Sequence, residues 1–172
     1  MKQTLLAFLA VTLISLYSIN QRRTLMHTQN NVYAREIETV ATDLALSKLA
    51  EISALAFDEK DVGVSDLLRT TTDSLTTAGS LGPELGETVA DFDDIDDYHG
   101  YQSPDVLRRL NEESFRFQVD VQVAYVDVSG APAGGPTLAK QVTVQVRKDD
   151  HSGMPVDVKL RRTLTPASLI MY

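Results

Sequence analysis

An α+β fold follows from three features of the sequence. The first third is rich in helix formers, the middle is rich in glycine, threonine and aspartate, and the last third alternates apolar and polar residues at period two. The expected architecture is a long N-terminal helix, membrane-inserting in its first part, packed on a small antiparallel sheet of three to four strands. The boundaries read as a hydrophobic membrane or filament-core helix over 1–22, its amphipathic continuation over 23–57, a loop region over 58–111 and an antiparallel β-meander over 112–172.

The opening run, Leu5 to Ile19 (LLAFLAVTLISLYSI), carries no charge. As a helix it covers about 22 Å, against a bilayer core of about 30 Å. With Thr4, Asn20 and Gln21 added, it reads as a short spanning helix. Lys2 precedes the run as in a signal peptide, but the following SINQRR offers no small-x-small cleavage site. The run is therefore expected to be retained, with Leu5, Leu6, Phe8, Leu9, Val11, Leu13, Ile14 and Leu16 as its membrane and assembly surface. Lys2 on one side and Arg22 and Arg23 on the other leave the orientation open.

Between Ser18 and Phe57 there is neither proline nor glycine. Val32, Ile37, Val40, Leu44, Leu49, Ile52 and Leu55 follow one helical face, while Arg35, Glu36, Glu38, Asp43, Lys48 and Glu51 fill the other. That stripe requires a cover. Gln21 to Asn31 is mostly polar and needs partners or solvent. The spacing does not hold a strict heptad, which argues against a plain coiled-coil dimer.

Gly63, Gly79, Gly82, Pro83, Gly86 and Gly100 then punctuate the chain, and the β-branched Thr70, Thr71, Thr72, Thr76 and Thr77 disfavour a long helix. A short helical turn capped by Ser65 is expected up to Arg69, and the remainder reads as a long loop.

The strands are explicit. Phe115, Phe117, Val119, Val121, Val123 and Tyr125 alternate with Arg116, Gln118, Asp120 and Gln122. Val142, Val144 and Val146 repeat the pattern, as do Val156, Val158 and Leu160. The connections SGAPAGGP (Ser129 to Pro136) and DDHSGMP (Asp149 to Pro155) are rich in turn formers, so a three-stranded meander is the simplest reading.

Composition excludes several functions. A net charge of −8 and a pI near 4.8 leave no basic patch for phosphates, so no nucleic acid partner is expected. Without cysteine there is no disulfide, thiolate zinc site or cysteine nucleophile. His27, His99 and His151 lack paired ligand spacing and read as surface residues. No nucleophile elbow or phosphate loop is present, since Gly130, Gly134 and Gly135 join two strands. The chain is expected to be non-enzymatic.

The arrangement of hydrophobic helix, amphipathic continuation, loop and antiparallel meander resembles the type IV pilin and pseudopilin family. The segment FDDIDDYHGY (Phe92 to Tyr101) and the strand AKQVTVQVR are similar to minor pilin-like proteins of the mannose-sensitive haemagglutinin pilus type. The matching positions are Asp93, Asp94, Asp96, Asp97, Tyr98 and Gly100, then Lys140, Val142, Thr143 and Val144. The family's basic leader, cleavage-site glycine, following phenylalanine and early glutamate are not found in this N-terminal segment, so the expectation is either a leader missing from the sequence as given or an atypical or accessory subunit with an atypical N-terminal signal.

The resemblance implies a structural subunit of an extracellular type IV pilus-like filament, assembled by packing of N-terminal hydrophobic helices. Its partners would be copies of itself or other pilins in a helical filament, with the inner membrane as a single-pass location before assembly and the cell surface afterwards. The alternative is a single-pass membrane-anchored accessory or binding domain of a cell-envelope complex.

Within the acidic segment, Asp91, Asp93, Asp94, Asp96 and Asp97 set five carboxylates in seven residues. Such repulsion could be neutralised by a hard cation with oxygen ligands, which makes calcium the one candidate cofactor. The EF-hand spacing is absent. The favoured reading is a solvated acidic loop, pinned by Phe92, Ile95 and Tyr98, because carboxylate clusters commonly form hydrated faces.

Overall fold

The structure is a computed structural model that describes residues 2–63, 69–104, 106–110, 113–148 and 155–166; side chains of α1 are described at Gln3, over 8–21 and from 32 onward. Helix α1 spans Lys2–Ile52, and four strands follow: β1 Val106–Leu110, β2 Glu113–Tyr125, β3 Lys140–Lys148 and β4 Val156–Leu164. Two short 3₁₀ turns, Glu59–Asp61 and Asp96–Tyr98, lie between helix and sheet in sequence. The chain divides into two compact units, Met1–Glu38 and Thr39–Tyr172.

In the first unit, every described side chain from 8 to 21 is exposed, including Phe8, Leu9, Val11, Leu13, Ile14 and Leu16. Leu5 and Leu6 lie outside the residues whose side chains are described.

In the second unit, Ala41, Ala45, Leu49 and Ile52 are buried at helical spacing, so the last turns of α1 present one apolar stripe. The sheet is antiparallel in the order β1-β2-β3-β4. Val121 pairs with Val144, and Val144 with Leu160; Val119 pairs with Val146, and Val123 with Val142. Phe115, Phe117, Val119, Val121, Val123 and Tyr125 of β2 and Val142, Val144 and Val146 of β3 are all buried, which places the alternate side chains on one face. Arg162 of β4 reaches Ser53 Oγ at 3.3 Å, just past the end of α1. On the opposite face Arg147 pairs with Asp120, its Nε 3.0 Å from Oδ2.

Three expectations need correction, and a fourth lies outside the described residues. Among the described residues no helix is long and apolar enough to cross a membrane. The membrane-inserting helix, the single-pass inner-membrane location and the membrane-anchored alternative fall together. The physical reason is polarity: within the described stretch 8–21, Thr12, Ser15, Ser18, Asn20 and Gln21 interrupt the apolar residues.

Secondly, α1 ends at Ile52 rather than continuing to Phe57. Ser53 Oγ donates to Leu49 O at 2.6 Å, and the N–H groups of Ala54 and Leu55 tighten onto Glu51 O and Ile52 O. Ala56 then leaves the helix altogether: its N–H donates to Asp93 O and its carbonyl accepts from Ile95 N. Partners from the acidic loop replace the next helical hydrogen bonds.

Thirdly, the region expected to be loop contains β1, paired from Val106↔Phe117 to Leu110↔Glu113. Its sequence VLRRL has no alternation to reveal it. Finally, the Ser65 turn falls at residues 64–68 and most of the Asp149–Pro155 connection at 149–154, outside the described residues.

Ile52 is wholly buried whereas Leu46, on the same helix, is half exposed. Ile52→Ala is expected to cost about 2–5 kcal/mol in urea unfolding, and Leu46→Ala less than about 0.5 kcal/mol. Equal costs would show that the stripe is misassigned.

Candidate functional site

Period two places Lys140 in phase with Val142, Val144 and Val146, so its side chain enters the core face. It is fully buried, opposite Tyr125 of β2 and Leu164 of β4. Its stem lies among apolar groups, with Nζ 4.5 Å from the Phe57 ring centroid and 5.2 Å from that of Tyr125. A lone ammonium there would be strongly disfavoured. Two loops supply its partners.

The first loop follows α1. Lys140 Nζ donates to Phe57 O at 2.5 Å and lies 3.4 Å from Asp58 Oδ2. Asp58 Oδ2 also accepts from Thr76 N at 2.9 Å, and Tyr125 Oη donates to Thr76 O at 2.8 Å. Residues 57–58 and 76 are thus tied to the same end of the sheet.

The second loop is the acidic segment. Asp96 Oδ1 stands 2.7 Å from Lys140 Nζ. That ion pair engages Oδ1, while Asp96 Oδ2 is buried with no hydrogen-bond partner. Asp94 Oδ1 accepts from the backbone N–H of Asp96 and Asp97, while Asp97 Oδ2 accepts from those of Asp93 and Asp94. This reciprocal pair closes the turn but leaves Asp94 Oδ2 and Asp97 Oδ1 buried without partners.

Gly100, at φ +80°, then redirects the chain to the sheet, an angle that favours glycine. Gly100 N donates to Val121 O, Val121 N to Tyr101 O and Ser103 N to Val119 O. Residues 100–103 thereby occupy the β2 edge beyond its pairing with β1.

Charge explains the titration. Buried Asp58, Asp94, Asp96 and Asp97 face a single buried ammonium at this end of the core. Desolvation, reinforced by Asp96 and Asp97, raises the Asp94 carboxyl to about 8. Asp96 is raised to about 6 by desolvation, with Lys140 opposing the rise. Asp97 is raised too, chiefly by burial. A neutral Asp94 suits its surroundings, because Oδ1 still accepts two N–H bonds and the unpartnered Oδ2 carries no charge.

The five aspartates expected to act together are separated. Asp91 is exposed and closes a turn with Thr88 N and Oγ1; Asp93 is exposed; Asp94, Asp96 and Asp97 turn inward. The solvated-loop reading is therefore corrected. Ile95 and Tyr98 are buried and Phe92 half-buried, with the Phe92 and Tyr98 rings edge-on at 5.0 Å. Tyr98 Oη donates to Glu51 of α1 at 2.6 Å. His99 is half-buried, its Nδ1 2.6 Å from Val123 O, rather than a free surface residue. His27 and His151 lie outside the residues whose side chains are described.

Sequence reasoning missed Asp58, Glu84 and Glu87, and missed the burial of Lys140. One carboxylate oxygen each from Glu84, Glu87 and Asp97 lies within 4.8 Å of the others. No family model, curated protein or solved structure matches the chain.

The raised carboxyls have a definite sign. Unfolded aspartates titrate near 3.9, so between roughly pH 4 and 8 the folded chain holds more protons than the unfolded chain. Their contribution to stability is complete below about pH 4 and is lost as pH rises through 8. Urea unfolding in chelator is expected to show stability falling from pH 5.5 to 8, at up to about 1.4 kcal/mol per pH unit for each proton. Asp94→Asn, which retains the acceptor, should flatten that slope; a slope unchanged by the substitution would contradict the assignment.

Proposed function

We propose that the chain is a structural subunit of a type IV pilus-like filament, assembled through its N-terminal helix. The observation that carries the reading is the apolar surface of residues 8–21. Phe8, Leu9, Val11, Leu13, Ile14, Leu16, Tyr17 and Ile19 are each more than half exposed. At 100° per residue they surround the helix rather than forming a single stripe. A helix that is apolar on all sides is ordinarily buried.

Its polar groups suit a dry interface. Thr12 Oγ1 donates back to the carbonyls of Phe8 and Leu9, at 3.1 and 2.8 Å, and Gln21 Nε2 donates to Tyr17 Oη at 3.2 Å. These groups can leave water with some of their hydrogen bonds already made. Burying a large apolar side chain contributes about 1.5–3 kcal/mol. Eight of them provide a driving force comparable to the roughly 4–15 kcal/mol cost of association.

Copies of the same helix are the occupants favoured here, because a surface that is apolar all round can meet several neighbours at once. A head-to-tail contact that does not close generates a filament. The likeness of the Phe92–Tyr101 and Lys140–Val144 segments to minor pilin-like proteins favours a filament over a closed bundle. Those segments meet in the fold through Asp96 and Lys140.

Sedimentation velocity and negative-stain microscopy of the full chain test the proposal. The wild type is expected to form elongated assemblies, and Leu13→Asp or Leu9→Asp to sediment as a monomer. The unfolding transition of the sheet-bearing unit should be unchanged. A monomeric wild type, or assembly indifferent to both substitutions, overturns the reading.

A further inference from the structure

The acidic loop does more than balance Lys140. Its Asp97 turns one oxygen, Oδ2, to the backbone N–H groups of Asp93 and Asp94, at 3.0 and 3.1 Å. The other, Oδ1, is buried with no N–H donor on a residue only 1 % exposed, and the Glu84 carboxyl lies against the Asp97 side chain. A carboxylate oxygen withdrawn from water without a donor requires a cation or a proton.

The surrounding residues favour a cation. Glu84 and Glu87 bring their carboxylates to Asp97, with one oxygen of each residue within 4.8 Å of the others. Their placement is built rather than incidental. Glu87 N donates to Glu84 O at 3.1 Å and Glu84 N donates to Glu87 Oε2 at 2.9 Å, closing a turn. Gly86 holds φ +96° within it, a conformation that strains residues with a Cβ. Glu84 is exposed and Glu87 half-buried, so the group opens to solvent on one side and closes on Asp97 at the other.

We propose that Glu84, Glu87 and Asp97 bind a hard divalent cation, with calcium the best fit. The three groups offer only oxygen, and the solvent side leaves room for the waters that complete a calcium shell of six to eight ligands. Magnesium demands a stricter octahedron and gives up water reluctantly, so it should be the weaker ligand.

The site differs from the aspartate run that the sequence draws attention to. Asp91 is engaged by Thr88, and Asp96 by Lys140. Of the five aspartates in that run, only Asp97 belongs to the convergent group. A cation there would cross-link the turn at 84–87 to the loop at 93–97, and would satisfy the Asp97 oxygen that the fold leaves bare. The inference does not depend on self-association through the N-terminal helix.

Calorimetric titration of the chelator-treated full chain with calcium chloride tests the proposal, with magnesium chloride run in parallel. The expected result is one calcium per chain, with magnesium at least about tenfold weaker, and a higher melting temperature with calcium. Glu84→Gln and Glu87→Gln should each weaken calcium at least about tenfold, the lower end of the loss seen even for groups that only support a ligand. Glu84 is exposed, and glutamine at 87 keeps an oxygen to accept from Glu84 N, so the variants should keep the wild-type melting temperature in chelator. Asp91→Asn should bind within about twofold of wild type. No calcium heat with the wild type at millimolar concentration, or binding lost in Asp91→Asn and retained in both glutamine variants, overturns the assignment.

Discussion

The buried ammonium of Lys140 is the interaction on which the sheet-bearing unit depends. It sits at the end of β3, inside an otherwise apolar layer, and its hydrogen-bond and ion-pair partners come from segments far away in sequence: Phe57 and Asp58 after the helix, Asp96 from the acidic loop. A buried ion pair contributes little net stability over a well-packed apolar replacement, but breaking one by removing a single partner is costly. The value of Lys140 therefore lies in specificity. Long irregular segments can lie across a small sheet in many ways, and a fixed positive point admits only arrangements that bring carboxylates to it.

The same constraint accounts for the order of the loop around it. Ala56 is drawn out of the helical hydrogen-bond pattern by Asp93 and Ile95, which ends α1 where the acidic loop crosses it. Beyond Asp97, Tyr98 bonds to Glu51 and Gly100 to Val121, so one short segment touches the helix and covers the edge of β2. Such an edge would otherwise present unpaired backbone groups. The loop is thus both a clamp and an edge cover, and its concentrated charge is tolerated because burial keeps part of it protonated. The N-terminal unit follows a different logic, since its described apolar side chains over 8–19 are exposed.

The legible parts of the sequence were those with a strong period. β2, β3 and β4 announce themselves through alternating valines and aromatics, and Ala45 to Ile52 through helix formers. β1 was silent because Arg108 and Arg109 break the alternation, and its strand state comes from pairing with β2. The hydrophobic run suggested a membrane span, yet serines and a threonine interrupt it, and among the described residues no helix is long and apolar enough to cross a membrane. Charge was the most misleading signal. A run of aspartates suggests a hydrated face; the ion pair with Lys140 holds Asp96 inward, and the N–H groups of Asp96 and Asp97 hold Asp94. A clue was nevertheless available: Lys140 shares the parity of Val142, Val144 and Val146, so a lysine was due on the buried face and needed carboxylates. The grouping of Glu84 and Glu87 with Asp97 depended on the turn at Gly86 and on tertiary contact, which local patterns do not encode.

A double-mutant cycle between Lys140 and Asp96, followed by urea unfolding at pH 7, tests this account most directly. Lys140→Met alone should cost about 3–5 kcal/mol, because it leaves buried carboxylates without their cation. Combined with Asp96→Asn it should recover part of that loss, with a coupling energy of at least about 1 kcal/mol. Strict additivity of the two substitutions, or a Lys140→Met variant as stable as wild type, would contradict the claim that this ammonium organises the loops.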